Sequence, residues 1–397
     1  MTAQTASAVT AAALSSVEAR APDRPRLLYI DNLRTLLTIL VILVHLAIGY
    51  GAIGDWYYNE EGPISTASSL ILMTLVVIAQ AFFMGFFFMI SSYLSPASYD
   101  RKGAAPYLAD RLKRLGIPLL IFTVVIQPLT VYLLEIHDGF QGSFGQFLSQ
   151  AGIRAFGVGP LWFVETLLVF ALCYVLWRRL TKPASAPTPG DAKAPGNAAI
   201  ALSALALGVV TFVVRIWLPV GFWFEPFHLQ LAHFPQYIAL FVLGIVAYRR
   251  NWIAGLTNAQ ARIWKAVALL LVPAFLVLGV AGGVMEGNLT PFVGGVRWQS
   301  LVYSVWEQFM CSAMVVTLLV WFRDRFDRQG NLAKAMSAAA YPVYIFHAPI
   351  LVLLALALSG IRLEMGLKFI LVAPVAVALC FLVGYGMKKI PIAGSIL

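Results

Sequence analysis

YIDNLRTLLTILVILVHLAIGYG, residues 29–51, begins with charged and polar residues and then runs through Leu, Ile and Val to one histidine. Crossing a hydrocarbon layer of roughly 30 Å at 1.5 Å per residue takes about 20 apolar residues in a helix, and this stretch is long enough. Nine further runs of the same kind follow. The ten predicted spans are 33–53, 68–94, 116–135, 160–180, 198–218, 235–250, 263–284, 301–322, 340–359 and 367–387. They are continuous rather than alternating, which predicts an all-α polytopic membrane protein and not a barrel. The chain is 60% hydrophobic and 12% charged, with a mean hydropathy of +0.82, a composition that needs lipid as its solvent.

Positively charged loops stay on the cytoplasmic side, so Lys and Arg set the orientation. With both termini cytoplasmic, 22 of the 28 basic residues fall inside. Outside lie Arg154, Arg297, Arg362 and Lys368, while Arg34 and Arg215 fall within spans. This distribution accounts for the net charge of +10 and removes nucleic acid as the expected partner. Residues 1–25 read as a disordered cytoplasmic tail and 181–197 as a Pro/Ala linker inside a single ten-helix domain over 26–397. Cys173, Cys311 and Cys380 lie in apolar runs without metal or redox spacing, and read as small buried hydrophobes.

Ionisable groups inside a bilayer are costly, so each is a candidate for function. Arg34 and His45 are eleven residues apart, about 1,100° of helical rotation, which places them on one face about 16 Å apart along the axis. Asp31 and Thr38 extend that polar stripe. A histidine suits a general base or a transient nucleophile near neutral pH. Glu165, in GVGPLWFVETLLVF, is expected at a depth comparable with His45 and is the candidate to orient its ring, with Trp162 one turn earlier. In AAYPVYIFHAPIL, Tyr341, Tyr344 and His347 recur at three-residue steps, and Pro342 and Pro349 are expected to kink or unwind the helix beside a cavity. Arg111 and Arg114, in DRLKRLGIP, share a helical face at the membrane edge and suit bidentate phosphate binding. His228 and His233 lack a third ligand and read as solvated or substrate-facing, so no metal is expected.

At these residues the chain resembles the acyltransferase-3 family of bacterial membrane O-acyltransferases, in particular its stand-alone members of the periplasmic glucan succinylation type. The matching pieces are IDNLR with Arg34 and His45, FFMGFFFMISSYL, RLKRLGIP, PLWFVETLLVF and AAYPVYIFHAPIL. Only Glu165 stands where relatives carry a longer carboxylate-rich phrase after Leu-Trp-Phe. The resemblance implies a bacterial inner-membrane enzyme that moves an acetyl or succinyl group from cytoplasmic acyl-coenzyme A, a co-substrate rather than a bound cofactor, to a carbohydrate hydroxyl outside. It casts Arg34, Arg111 and Arg114 as phosphate ligands, His45 and Glu165 as catalytic, and Trp162, Tyr344 and His347 as lining the substrate path. Two other functions fit the composition: a proton-coupled transporter using His45, Glu165 and His347 as a relay, and a non-catalytic part of a polysaccharide assembly complex.

Overall fold

The computed structural model describes residues 27–181, 193–225, 227–394 and 396. The expected tail over 1–25 and most of the expected linker lie outside these residues. Ten helical spans are long and apolar enough to cross a membrane. They are α1 (Leu28–Gly49), α2 (Thr66–Lys102), α3 (Ala104–His137), α4 (Phe144–Leu180) and α5 (Asn197–Trp217), then α6 (Leu231–Arg249), α7 (Asn258–Ala281), α8 (Trp298–Arg325), α9 (Asn331–Leu358) and α10 (Met365–Lys389). Each overlaps a predicted span. Among the described residues the only β pairing is an isolated bridge between Phe224 and Leu229.

α1 packs against α9, α10, α2 and α8. A second group holds α8 against α5 and α7, and α2 joins the two groups by packing along α6. Small residues let backbones approach closely where hydrophobic burial gives no advantage over lipid. Gly208 of α5 lies against the backbone of Val305, and Gly244 of α6 against the Met89 carbonyl, so a Cβ at either position meets main chain. α3, α5 and α7 turn much of their apolar surface outward, as at Leu120, Leu202 and Leu270, where lipid is the natural neighbour.

Two irregularities shape the interior. α2 is interrupted at Ala81 and Phe82, between Thr66–Gln80 and Phe83–Tyr93, where one continuous helix is predicted. The Ala81 carbonyl freed by this break accepts from Gln236 Nε2 at 2.8 Å, and Gln236 also donates to Gln308 at 3.1 Å. Non-helical backbone at membrane depth is stable only when its polar groups are satisfied inside the protein. α3 contains two π-helical turns, Leu112–Gly116 and Phe122–Ile126, followed by Pro118 and Pro128. Pro118 has no N–H to offer the Arg114 carbonyl four residues back, and that carbonyl instead accepts from the Tyr341 hydroxyl at 2.7 Å. In α9 the expectation of unwinding is not met: the helix runs unbroken through both Pro342 and Pro349.

Candidate active site

The motif IDNLR sets the register of α1. Asn32 Nδ2 donates to the carbonyls of Phe326 at 2.7 Å and Arg328 at 3.1 Å, and the Tyr29 amide donates to Asp327 at 3.2 Å. These bonds tie the first turn of α1 to the α8–α9 connection. Three turns further on, the same face carries His45 against α9.

His347 Nδ1 lies 2.7 Å from the Tyr344 carbonyl, and His347 Nε2 lies 3.1 Å from His45 Nδ1. A carbonyl only accepts, so the partners assign the proton of His347 to Nδ1. Nε2 of His347 then offers a lone pair, which assigns the His45 proton to Nδ1. His45 is left with Nε2 as its basic atom. His347 is fully buried, and His45 is the member of the pair that lines a chamber. Trp56 stacks on His45, with ring centroids 3.9 Å apart and planes at 17°, and also lies 6.1 Å from the His347 ring.

Trp56 belongs to the connection after α1, which is clamped at several points. The Glu60 amide donates to the Gly49 carbonyl at 2.9 Å, and the Tyr57 hydroxyl donates to Gln127. Lys368, 1% exposed, bonds Glu60 at 2.5 Å and the carbonyls of Leu358 and Ile361. Glu364 caps α10 by accepting from the Leu367 amide at 2.9 Å and also accepts from the Ser65 amide at 3.0 Å. Those hydrogen bonds stabilise the ionised carboxylate and hold its pKa down to about 2.

A chamber of about 410 Å³ opens on the face where α1 begins and α10 ends. Arg34, Arg111, Arg114 and Lys388 contribute to its wall, opposed by Asp31. Arg34 and Asp31 are 3.7 Å apart, Arg111 donates to Ser95 at 3.1 Å, and the Arg111 guanidinium lies 5.2 Å from the centroid of the Tyr107 ring. These neighbours hold the guanidinium planes at defined angles around an anion-sized space.

A second chamber, of about 400 Å³, occupies the opposite half of the bundle. His45 and Trp162 line it, along with apolar residues of α2 and α7. Tyr344 lines both chambers, and its hydroxyl donates to the Pro160 carbonyl, just ahead of the helix Trp162–Leu180 within α4. The structure therefore sets a cationic chamber and a histidine-bearing chamber on either side of one tyrosine.

Most of the sequence candidates converge. Arg34, Arg111, Arg114 and Tyr344 share the first chamber; His45, Trp162 and Tyr344 share the second; His347 sits behind His45. Glu165 does not join them. It stands in the first turn of the helix Trp162–Leu180 and lines neither chamber, and its Oε2 is buried with no hydrogen bond among the described residues. His347 occupies the orienting position expected for it. One smaller reading is also revised, Cys173 being exposed on the outer surface of α4; of the two alternatives for His233, the side chain is not solvated but buried in the wall of the second chamber.

A second polar centre escaped the sequence analysis. Arg215 of α5 is fully buried, and its Nη2 donates to Glu307 Oε2 of α8 at 2.6 Å. His233 Nδ1 lies 3.2 Å from Glu307 Oε1 and 3.2 Å from the same Arg215 nitrogen. The signal was present as two opposite charges, Arg215 and Glu307, inside predicted spans. Their meeting required tertiary structure, because 92 residues separate them.

No curated protein matches this chain. The family model described as acyltransferase domain matches residues 27–385, nearly the whole of the described helical bundle, and the chain belongs to the acyltransferase-3 family of membrane acyltransferases.

Proposed function

We propose that this membrane acyltransferase takes its acyl group from acyl-coenzyme A on the cytoplasmic side and delivers it to a hydroxyl of a glycan on the other side, in the bacterial inner membrane. The observation that carries this is the placement of a basic imidazole nitrogen next to a chamber that meets a four-cation chamber at Tyr344. The positive-inside pattern supports a cytoplasmic position for the cationic chamber. Arg34, Arg111, Arg114 and Lys388 match the phosphates of a nucleotide thioester, whose thin arm passes Tyr344 towards His45.

In the transfer step His45 Nε2 removes the proton of the acceptor hydroxyl as its oxygen attacks the thioester carbonyl. The C–S bond breaks, an ester forms, and the departing thiolate takes the proton from His45. The imidazolium formed in between keeps its Nδ1–H on His347 Nε2, so the ring does not turn. Trp56 adds a π face against that transient cation.

Binding of coenzyme A and acetyl-coenzyme A to the purified protein in nanodiscs tests the donor half. Wild type is expected to bind saturably, and an Arg111→Ala, Arg114→Ala variant to bind at least about tenfold more weakly, since a charge-assisted hydrogen bond contributes about 1.5–3 kcal/mol. A folded wild type that binds neither compound, and instead moves a solute without coenzyme A, refutes the assignment in favour of a transporter.

A further inference from the structure

Ionised side chains in a bilayer interior need a reason, and Arg215 and Glu307 neutralise each other almost completely. Arg215 also donates to Ser304 and to the Ala232 carbonyl. Gln308 and Gln236 continue the network to the break in α2. All of this is internal scaffolding except at one point. His233, 6% exposed, turns its Nδ1 to Glu307 and Arg215 and lines the same chamber as His45. Its Nε2 makes no hydrogen bond among the described residues.

The partners determine what that nitrogen offers. Arg215 Nη2 is committed to Glu307 Oε2 at 2.6 Å, whereas Glu307 Oε1 has an imidazole nitrogen at 3.2 Å. An N–H···carboxylate bond is stronger than a bond between a guanidinium and a ring nitrogen, so Nδ1 carries the proton. Nε2 is then an acceptor aimed at the chamber, fixed from behind by a carboxylate. Beside it the wall provides aromatic faces and neutral polar groups, Tyr237, Tyr303, Gln80 and Gln230. The described lining contains no lysine or arginine and one carboxylate, Asp55. That wall disfavours an anion and fits a neutral group with hydroxyls to donate.

We propose that His233, positioned by Glu307 and Arg215, is an acceptor-recognition residue that accepts a hydrogen bond from a hydroxyl of an uncharged polyol, next to the hydroxyl that His45 activates. This deepens the acyl-transfer reading and rests on it. The acceptor is thereby restricted to glycans whose modified portion is neutral.

The test uses the full chain in nanodiscs with labelled acetyl-coenzyme A as donor. Maltoheptaose, a neutral glucan, and an oligogalacturonate of equal length, its acidic counterpart, serve as acceptors. Wild type is expected to acetylate maltoheptaose with a kcat/KM at least about tenfold above that for the acidic chain. His233→Ala is expected to raise the KM for maltoheptaose about tenfold or more while kcat changes less than about threefold, as for a site whose hydrogen-bonding partner is missing. A misfolded fraction lowers kcat and leaves KM unmoved, so the split separates recognition from folding. If His233→Ala cannot be purified, His233→Gln, which retains an acceptor, is expected to show a smaller rise in the same KM. A KM within about twofold of wild type in the purified variant, or a preference for the acidic chain, overturns the proposal. Should wild type acetylate neither sugar yet hydrolyse acetyl-coenzyme A in a His45-dependent way, the neutral subsite is wrong and acyl transfer remains. Should it neither bind nor consume acetyl-coenzyme A, both fall.

Discussion

The two chambers have nearly equal volumes, about 410 and 400 Å³, and opposite walls. One is edged by four cations near helix ends, where long side chains still reach water. The other is mostly apolar, with Asp55 the one charged side chain in its described lining and Arg215 and Glu307 buried behind it as a neutral pair. The contrast indicates how a protein handles two substrates of different polarity. On the proposed reading an anionic donor is held by charge at an aqueous mouth, whereas an uncharged acceptor is held by a few fixed hydrogen bonds in an apolar space, where each of them counts for more.

Three experiments strain that contrast, and the largest effect falls on the histidine pair. His45→Ala is expected to lower kcat by about 10²- to 10⁴-fold, the range for a general base. His347→Ala is expected to cost less, and the double variant no more than His45→Ala alone, because residues acting as a unit are not additive. Independent, multiplying losses in single-turnover rates would show that the relay does not set the proton on His45.

Next in size is the buried pair. Glu307→Ala leaves Arg215 charged and without its carboxylate, which is expected to destabilise the bundle by about 3–5 kcal/mol. Arg215→Met with Glu307→Leu removes both charges and is expected to cost much less. Thermal unfolding in nanodiscs separates the two, and equal costs would mean that the ion pair is not what holds the apolar chamber open.

The smallest effect concerns the clamp that positions Trp56. Glu364 has its pKa depressed from the ordinary carboxylate value to about 2. Its contribution is complete above about pH 4.5 and is lost as the pH falls towards 2, where the folded form also takes up the proton. Glu364→Gln is therefore expected to flatten the pH dependence of thermal stability between about pH 5 and 2 and to lower the neutral-pH value towards the acid one. An unaltered acid limb rules out Glu364 as the titrating link.

How much of this could be read beforehand follows from the same polarity difference. Spans show as apolar runs because hydrocarbon thickness imposes a length, so all ten were visible. Arg34 and His45 were visible because helical periodicity alone puts them on one face. Arg111, Arg114 and Tyr344 carried local signals at the membrane edge and meet Arg34 where those signals implied. Partnership was harder. Glu165 seemed suited to His45 by depth, yet depth says nothing about azimuth, and His347 on α9 fills the place. The break at Ala81 has no proline to announce it, and the group that satisfies its free carbonyl, Gln236, is 155 residues away in the chain. His233 looked like a loop residue because its partner Glu307 lies on another helix.

Tyr344 has a further consequence for the cell. Two chambers in opposite halves of the bundle that share one side chain come close to forming a conduit, and a membrane that stores energy as an ion gradient cannot tolerate an open one. The tyrosine hydroxyl, held by the Pro160 carbonyl, stands at that boundary, where it would insulate one compartment from the other. A thin neutral acyl chain can displace that contact for the length of a turnover, whereas a hydrated ion would have to shed its shell against aromatic walls. Acyl transfer across the bilayer, as proposed above, is then compatible with a membrane that stays charged.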